Sequence, residues 1–201
     1  YGHIKPALSI KRALNLSQLR FIPNRIPPHR ADPWLNVEQR LQLLNTALSD
    51  YPGVMIDERE LDRDGPSYMV DTLASIKQEF PDEVLCLIIG MDAFFGITSW
   101  FKWQSLFDLC HLVVIDRPGF DRASIKKQFD AADYAFLEER MTSDADTLTT
   151  QEKGRILLQS VPQLDISSTR IRDNLSDEEL IAQWMPEPAY QKLRGFIYDD
   201  R

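Results

Sequence analysis

Val84-Leu85-Cys86-Leu87-Ile88-Ile89-Gly90-Met91-Asp92 joins the longest apolar run of the chain to a Gly-x-Asp. Six apolar residues run without alternation from Val84 to Ile89. This is the pattern of a central parallel strand covered on both faces, because a half-exposed strand would alternate. Gly90 and Asp92 follow at its carboxyl end. A glycine lets backbone approach a ligand closely, and a carboxylate there can accept hydrogen bonds from ribose hydroxyls. Taken alone, Gly-x-Asp is better read as a turn with a capping carboxylate.

Working outward, helices and strands alternate. Upstream, Ser67 is expected to cap a helix running to about Phe80, with Val70, Leu73, Ala74 and Ile76 on its apolar face. Tyr68 at its start suits either core or pocket. Before the Asp64-Gly65-Pro66 turn come a strand, Val54-Met55-Ile56, and a helix with Val37, Leu41, Leu44 and Leu48 at helical spacing. Asn36 and Gln39 form a capping-box pattern for that helix. A loop from Asn24 to Leu35 carries Asn24, Arg25, His29 and Arg30 between prolines. It leaves the strand Leu19–Ile22, itself preceded by a helix from Ile4 to Leu16. Downstream lies an aromatic run, Phe94 to Trp103, which on composition alone is core. A buried strand follows at Leu112–Ile115, placing Arg117 at a carboxyl end. Residues 120–154 are polar and read as a peripheral excursion with helical pieces near Ala123–Phe129 and Tyr134–Met141. Ile156-Leu157-Leu158 resumes the strand pattern. Ser176-Asp177-Glu178-Glu179 reads as a capping box for a helix with Leu180, Ile181 and Trp184, and a last helix runs to about Arg194.

This order predicts an α/β domain of Rossmann-like, doubly wound type: a parallel sheet with helices on both faces and a small helical part at 167–201. The 201 residues suit a single domain. The chain starts Tyr1-Gly2-His3-Ile4, without Met and directly at a helix start. A first strand and turn are therefore expected ahead of Tyr1. No G-x-G-x-x-G or Walker motif is present, which disfavours ordinary NAD oxidoreductases and P-loop NTPases. The net charge of −8 argues against nucleic-acid binding but leaves room for a small anion bound by local cations. No apolar run is long enough for a membrane span. Cys86 and Cys110 read as buried free thiols of a reducing compartment, the cytoplasm, and no histidine or cysteine spacing suggests a metal site.

One further stretch combines hydroxyls with cations: Ile166-Ser167-Ser168-Thr169-Arg170-Ile171-Arg172. Hydroxyl residues at a helix start satisfy orphan N–H groups, and that end of a helix suits phosphate. Arg170 and Arg172, two apart, point in different directions on a helix. Alone, the stretch is better read as an ordinary cap with solvated arginines.

Jointly, and in order, the motifs resemble a known family. They are Tyr1-Gly2-His3; Ile22-Pro23-Asn24; Pro27-Pro28-His29-Arg30; Pro66-Ser67-Tyr68; Ile89-Gly90-Met91-Asp92; Ser99-Trp100; Arg117-Pro118-Gly119; and Ile166 to Arg172. The chain resembles bacterial nicotinate mononucleotide adenylyltransferases of the nucleotidylyltransferase superfamily, over nearly its whole length outside 120–154. The resemblance implies adenylyl transfer from ATP to nicotinate mononucleotide in NAD biosynthesis, without a covalent intermediate and with Mg²⁺ accompanying ATP. It implies a catalytic pair, His3 and Arg172. It places ATP at His3, Gly90, Asp92, Ser167, Ser168, Thr169 and Arg172. It places the mononucleotide at Asn24, His29, Arg30, Tyr68, Trp100 and Arg117. His3, Ser168, Thr169 and Arg172 are then expected close together. The family's glycine-rich turn and first histidine are expected before Tyr1. Met69 stands where family members often have Thr, so selection of the nicotinate carboxylate is expected to fall on backbone N–H groups. Other acceptors, nicotinamide mononucleotide or phosphopantetheine, and a non-catalytic nucleotide-binding module are the alternatives. No nucleic-acid or membrane partner is expected, and the reading accommodates a homo-oligomer.

Overall fold

The structure, a computed structural model, describes residues 1–25, 34–116, 122–161 and 166–198. The chain divides into two compact units, Tyr1–Ser67 with Gln163–Arg201, and Tyr68–Pro162.

In the first unit, α1 (Ile4–Ala13) buries Ile4, Ala7 and Ile10 along one face. It ends where Asn15 takes a left-handed φ of 49°, with Leu16 N–H donating to the Lys11 carbonyl and Asn15 N–H to that of Arg12. This closes the helix in the way glycine usually does, and Asn is among the few other residues that tolerate it. Strand β1 (Leu19–Phe21) pairs in parallel with β2 (Val54–Ile56), Leu19 opposite Val54. Between them runs α2 (Val37–Leu48), whose capping box is complete: the Asn36 side chain accepts from Gln39 N–H and the Gln39 side chain accepts from Asn36 N–H. Three helices close the unit: α7 (Ser168–Asp173), α8 (Glu178–Trp184) and α9 (Glu187–Tyr198), the last lying against α2. Ile181, Trp184 and Tyr190 form their core, with Ile166 and Ile171 packed on it. The buried Tyr190 hydroxyl donates to the Leu175 carbonyl at 2.8 Å, as a buried phenol requires.

The second unit holds a parallel sheet of order β3-β4-β6-β5, with β3 at Cys86–Gly90, β4 at His111–Asp116, β5 at Met141–Thr142 and β6 at Ile156–Ser160. Its helices are α3 (Met69–Glu79), α4 (Met91–Phe95), α5 (Ala131–Glu138) and α6 (Thr147–Thr150). Gly90 lies opposite Ile115, and Asp116 opposite Ser160, so the carboxyl ends of β3, β4 and β6 share one side. All six residues of β4 are buried. His111 at its start is enclosed: its Nδ1 accepts from Arg155 N–H, so Nε2 carries the proton and donates to the Gln151 carbonyl at 2.9 Å. Burial pulls its pKa down and the Arg155 charge adds to this, against the opposing effect of the bond to the Gln151 carbonyl.

Parallel strands and crossover helices match the expected α/β class. Several local readings are corrected. Ser67 does not cap α3; Tyr68 holds the cap position without a side-chain bond, and the Ser67 hydroxyl accepts from Arg25 N–H instead. Asp177, not Ser176, caps α8 by accepting from Leu180 N–H. Among the described strands β3 is an edge of its sheet with Val84 exposed before it, and β4 takes the fully covered place. The 120–154 stretch is not peripheral, because Ile125 and Leu137 belong to the main core and Met141 pairs with β6.

Candidate functional site

In the first unit the two ends of the sequence meet. A Cβ placed on Gly2 would lie 3.4 Å from the Ile166 Cβ, and the Tyr1 backbone nitrogen lies 2.7 Å from the Trp184 carbonyl oxygen. Tyr1-Gly2-His3 therefore abuts the residue immediately before Ser167. His3 stands at the start of α1, exposed, and makes no cap bond with its side chain. Ser167 caps α7, its hydroxyl accepting from Arg170 N–H at 3.1 Å. That hydroxyl is committed to the helix, whereas Ser168, Thr169 and Arg172 are exposed. Arg172 Nη2 donates to Thr169 Oγ1 at 3.0 Å, which sets the direction of the guanidinium. Arg170 turns the other way, with its guanidinium 5.1 Å from the centre of the Trp184 ring. The two arginines thus part as their spacing predicts, Arg172 towards solvent beside α7 and Arg170 onto the core of the helical part.

Asn24 follows β1 and is exposed. Its backbone is held from three sides. Arg40 Nη2 donates to the carbonyls of Asn24 and Arg25. Arg25 N–H reaches Ser67. The Arg25 guanidinium donates to the Arg63 carbonyl and pairs with Asp64 at 2.9 Å. Asp57, just after β2, receives Arg20 and Arg59, and its N–H donates to the Phe21 carbonyl at the end of β1. His29, Arg30 and Arg117 lie outside the described residues.

In the second unit Gly90 ends β3 and starts α4. A Cβ on Gly90 would come within 2.7 Å of Asp92 Oδ1, so the carboxylate folds back over the glycine. Any larger residue would push it away, which is a stronger reason for glycine than turn geometry. Tyr68, Met69 and Trp100 are each half-buried and pack on the same core, leaving edges towards solvent. Phe101, which composition alone does not single out, is 45% exposed and stacks on Tyr68 with ring centres 4.5 Å apart. The next residue, Lys102, adopts a left-handed φ of 50° while Trp103 N–H donates to the Trp100 carbonyl. That tight turn presents Phe101 at its corner. A groove of about 570 Å³, lined by Phe107, Arg140, Lys153 and Arg155 among others, opens at the amino ends of β4 and β6. It lies at the opposite end of this sheet from Gly90, whereas ligands of open α/β sheets bind at the carboxyl ends.

The first unit can thus offer a histidine, hydroxyls, an aimed arginine and backbone donors to phosphate oxygens. The second offers a carboxylate over a glycine for ribose hydroxyls and an aromatic edge for a flat ring.

Comparison with known proteins agrees with this chemistry. The cytidylyltransferase-like family matches residues 1–174. A probable nicotinate-nucleotide adenylyltransferase of Halorhodospira halophila is 42% identical over 193 residues, covering 96% of this chain and 86% of the relative. Its counterpart in Methylococcus capsulatus is 44% identical over 194 residues, covering 96% and 90%. Among solved structures, Plasmodium falciparum nicotinic acid mononucleotide adenylyltransferase complexed with NaAD superposes with a TM-score of 0.69 at 16% identity, over 100% of this chain and 91% of that one.

Proposed function

The chain belongs to the cytidylyltransferase-like family, and on that premise we propose that it transfers the adenylyl group of ATP to nicotinate mononucleotide, in NAD biosynthesis. A phosphate oxygen of the mononucleotide attacks the ATP α-phosphorus in line. The bond from that phosphorus to the β-phosphate bridging oxygen breaks, and pyrophosphate leaves with the electron pair. Deamido-NAD is the other product. No group on the enzyme becomes covalently attached, so rate enhancement comes from alignment and from donors aimed at developing charge.

The observation that carries this reading is the packing of Gly2 on Ile166. It sets the residue before His3 against the residue before Ser167, which supports a triphosphate clamp made of His3 and the Ser168-Thr169-Arg172 face. His3 and Arg172 take the catalytic roles, giving hydrogen bonds to the α-phosphate and the departing pyrophosphate. Asp92 accepts from the ribose hydroxyls over Gly90. Trp100 stacks on the nicotinate ring, with Tyr68 beside it. Asn24, His29, Arg30 and Arg117 serve the mononucleotide and its phosphate. The start of α3 has no side-chain cap, so its first-turn N–H groups suit the nicotinate carboxylate, a role Met69 can fill through its backbone. Hydroxyls and a guanidinium suit phosphate oxygens better than a cation, so Mg²⁺ fits as an ion brought in on the ATP phosphates, where it would neutralise the leaving group.

The test is release of pyrophosphate from ATP and Mg²⁺ by the complete protein with nicotinate mononucleotide, nicotinamide mononucleotide or phosphopantetheine as acceptor. The expected result is turnover with a clear preference for nicotinate mononucleotide. Turnover with phosphopantetheine alone, or with none of the three, would overturn the proposal.

A further inference from the structure

Arg40 stands at the end of the first turn of α2, where the helix dipole disfavours a cation. Its Nη2 donates to the carbonyl of Asn24 at 2.8 Å and to that of Arg25 at 3.3 Å. Its Nε is enclosed without a hydrogen-bond partner. Burial lowers its pKa from the ordinary arginine value. The neighbouring arginines of this unit have carboxylates: Arg20 and Arg59 share Asp57, and Arg25 pairs with Asp64. No carboxylate lies within ion-pair distance of Arg40 among the described residues. An arginine serving only to hold α2 in place would be cheaper as a neutral side chain, because a half-buried charge without a counter-ion is costly.

We propose that Arg40 is a positioning residue for the mononucleotide: its Nη2 fixes the Asn24–Arg25 backbone, and the anionic substrate supplies the missing counter-charge. The inference rests on the reading that Asn24 serves the mononucleotide. Two carbonyls on one guanidinium set the peptide planes on either side of Arg25, and hence the direction in which the exposed Asn24 side chain leaves the chain. The Ser67 hydroxyl and Asp64 hold the same residue from the other side. With the Asn24–Arg25 backbone so fixed, the order of that dipeptide does not have to be created when the substrate binds. The charge at its base also raises the local concentration of an anion on a protein that is acidic as a whole.

The test compares the complete wild-type protein with Arg40→Met, which keeps the apolar stem but loses the guanidinium donor and the charge, and with Arg40→Lys, which keeps the charge. Pyrophosphate release is measured with each substrate varied in turn, at low and high salt. Loss of a charge-assisted contact predicts a rise of about tenfold or more in KM for nicotinate mononucleotide in Arg40→Met. The KM for ATP should stay within about twofold, and Arg40→Lys should fall between the two proteins. The salt dependence of the mononucleotide KM should weaken in Arg40→Met and persist in Arg40→Lys. If Arg40→Met does not fold, Arg40→Lys carries the test through a selective rise in the mononucleotide KM. Equal rises for both substrates, or a change in kcat alone, would make Arg40 merely structural and overturn the proposal. An inactive wild type would overturn the reading on which it rests, and the two failures are distinguished by that control.

Discussion

Replacing Asp57 by Asn tests the polar joint at the carboxyl ends of β1 and β2. Asp57 follows β2, and its backbone N–H continues the ladder by donating to the Phe21 carbonyl at 2.9 Å. Its carboxylate is 8% exposed and accepts from Arg20 Nη1 at 3.1 Å, from Arg59 Nη2 and Nε at 2.8 Å each, and from Arg59 N–H at 3.2 Å. Asn keeps an oxygen for the Oδ1 donors but turns an NH₂ towards Arg20 Nη1 and Arg59 Nη2. Two charge-assisted bonds are lost and two donors face a donor. At about 1.5 kcal/mol for each, the gross loss is about 3 kcal/mol. The arginine side chains are 20% and 14% exposed, so partial rehydration brings the expected loss to about 2–3 kcal/mol. For a chain of this length that is a fall of about 4–12 °C in Tm. Desolvation alone would raise the carboxyl pKa, but the bonds from Arg59 and Arg20 outweigh it and hold the folded pKa below 3.8. A depressed folded pKa means stability that is fully present above the unfolded carboxyl pKa of about 4 and is lost as pH falls through the folded value. Urea denaturation of wild type and Asp57→Asn should therefore differ most at neutral pH, with the gap narrowing below about pH 4. A gap under about 0.5 kcal/mol at pH 7, or one that persists undiminished into acid, would refute the argument.

Gly90→Ala should raise the KM for ATP while leaving Tm nearly unchanged, because the added methyl meets only the flexible Asp92 carboxylate, 2.7 Å away. Steady-state kinetics beside a thermal melt read both, and a large loss of Tm with unchanged KM would show that Gly90 serves the fold. Burial pushes the Cys86 thiol up to about 11 and that of Cys110 to about 12. Cys110 is buried but Cys86 only half-buried, against the expectation of two buried thiols. Both should still resist iodoacetamide at pH 8 until urea unfolds the chain, and mass spectrometry showing fast alkylation of both in the native protein would contradict their raised pKa values.

How far the fold was legible depended on whether a residue's partner lay nearby in sequence. The Asn36–Gln39 box was readable because both members sit within one turn. The Ser167 cap was readable for the same reason. The role of Ser67 was not, since its competing donor, Arg25 N–H, is 42 residues away. Composition also misled over 120–154: Ile125, Leu137 and Leu148 are buried at wide intervals among charged neighbours, too sparse for a periodic signal. The apolar run at 84–89 marked a strand correctly, but hydrophobicity does not say which neighbours cover it, and the shorter run in β4 proved to be the buried one. Within the candidate site, residues with distinctive motifs stood out. Arg40 did not, because its bonds go to the carbonyls of Asn24 and Arg25, 15–16 residues away, and a lone arginine in an amphipathic helix looks like an ordinary solvated face.

This difference separates two kinds of site residue. His3, Asp92, Thr169 and Arg172 are exposed. In the proposed function their identities follow from the ligand's chemistry, which is why they can be read as motifs. Arg40, Asp57 and Ser67 are half-buried or buried and satisfy one another's neighbours. Their identities are set by the backbone they hold, and any residue able to hold it would serve. Hence a substitution in the first group should change affinity or rate with little effect on stability. One in the second should couple the two, unless its charge remains unmatched within the protein. Arg40 is the member of the second group with an unmatched charge among the described residues, which is why its effect should be selective for one substrate, whereas that of Asp57 should appear first in the melt.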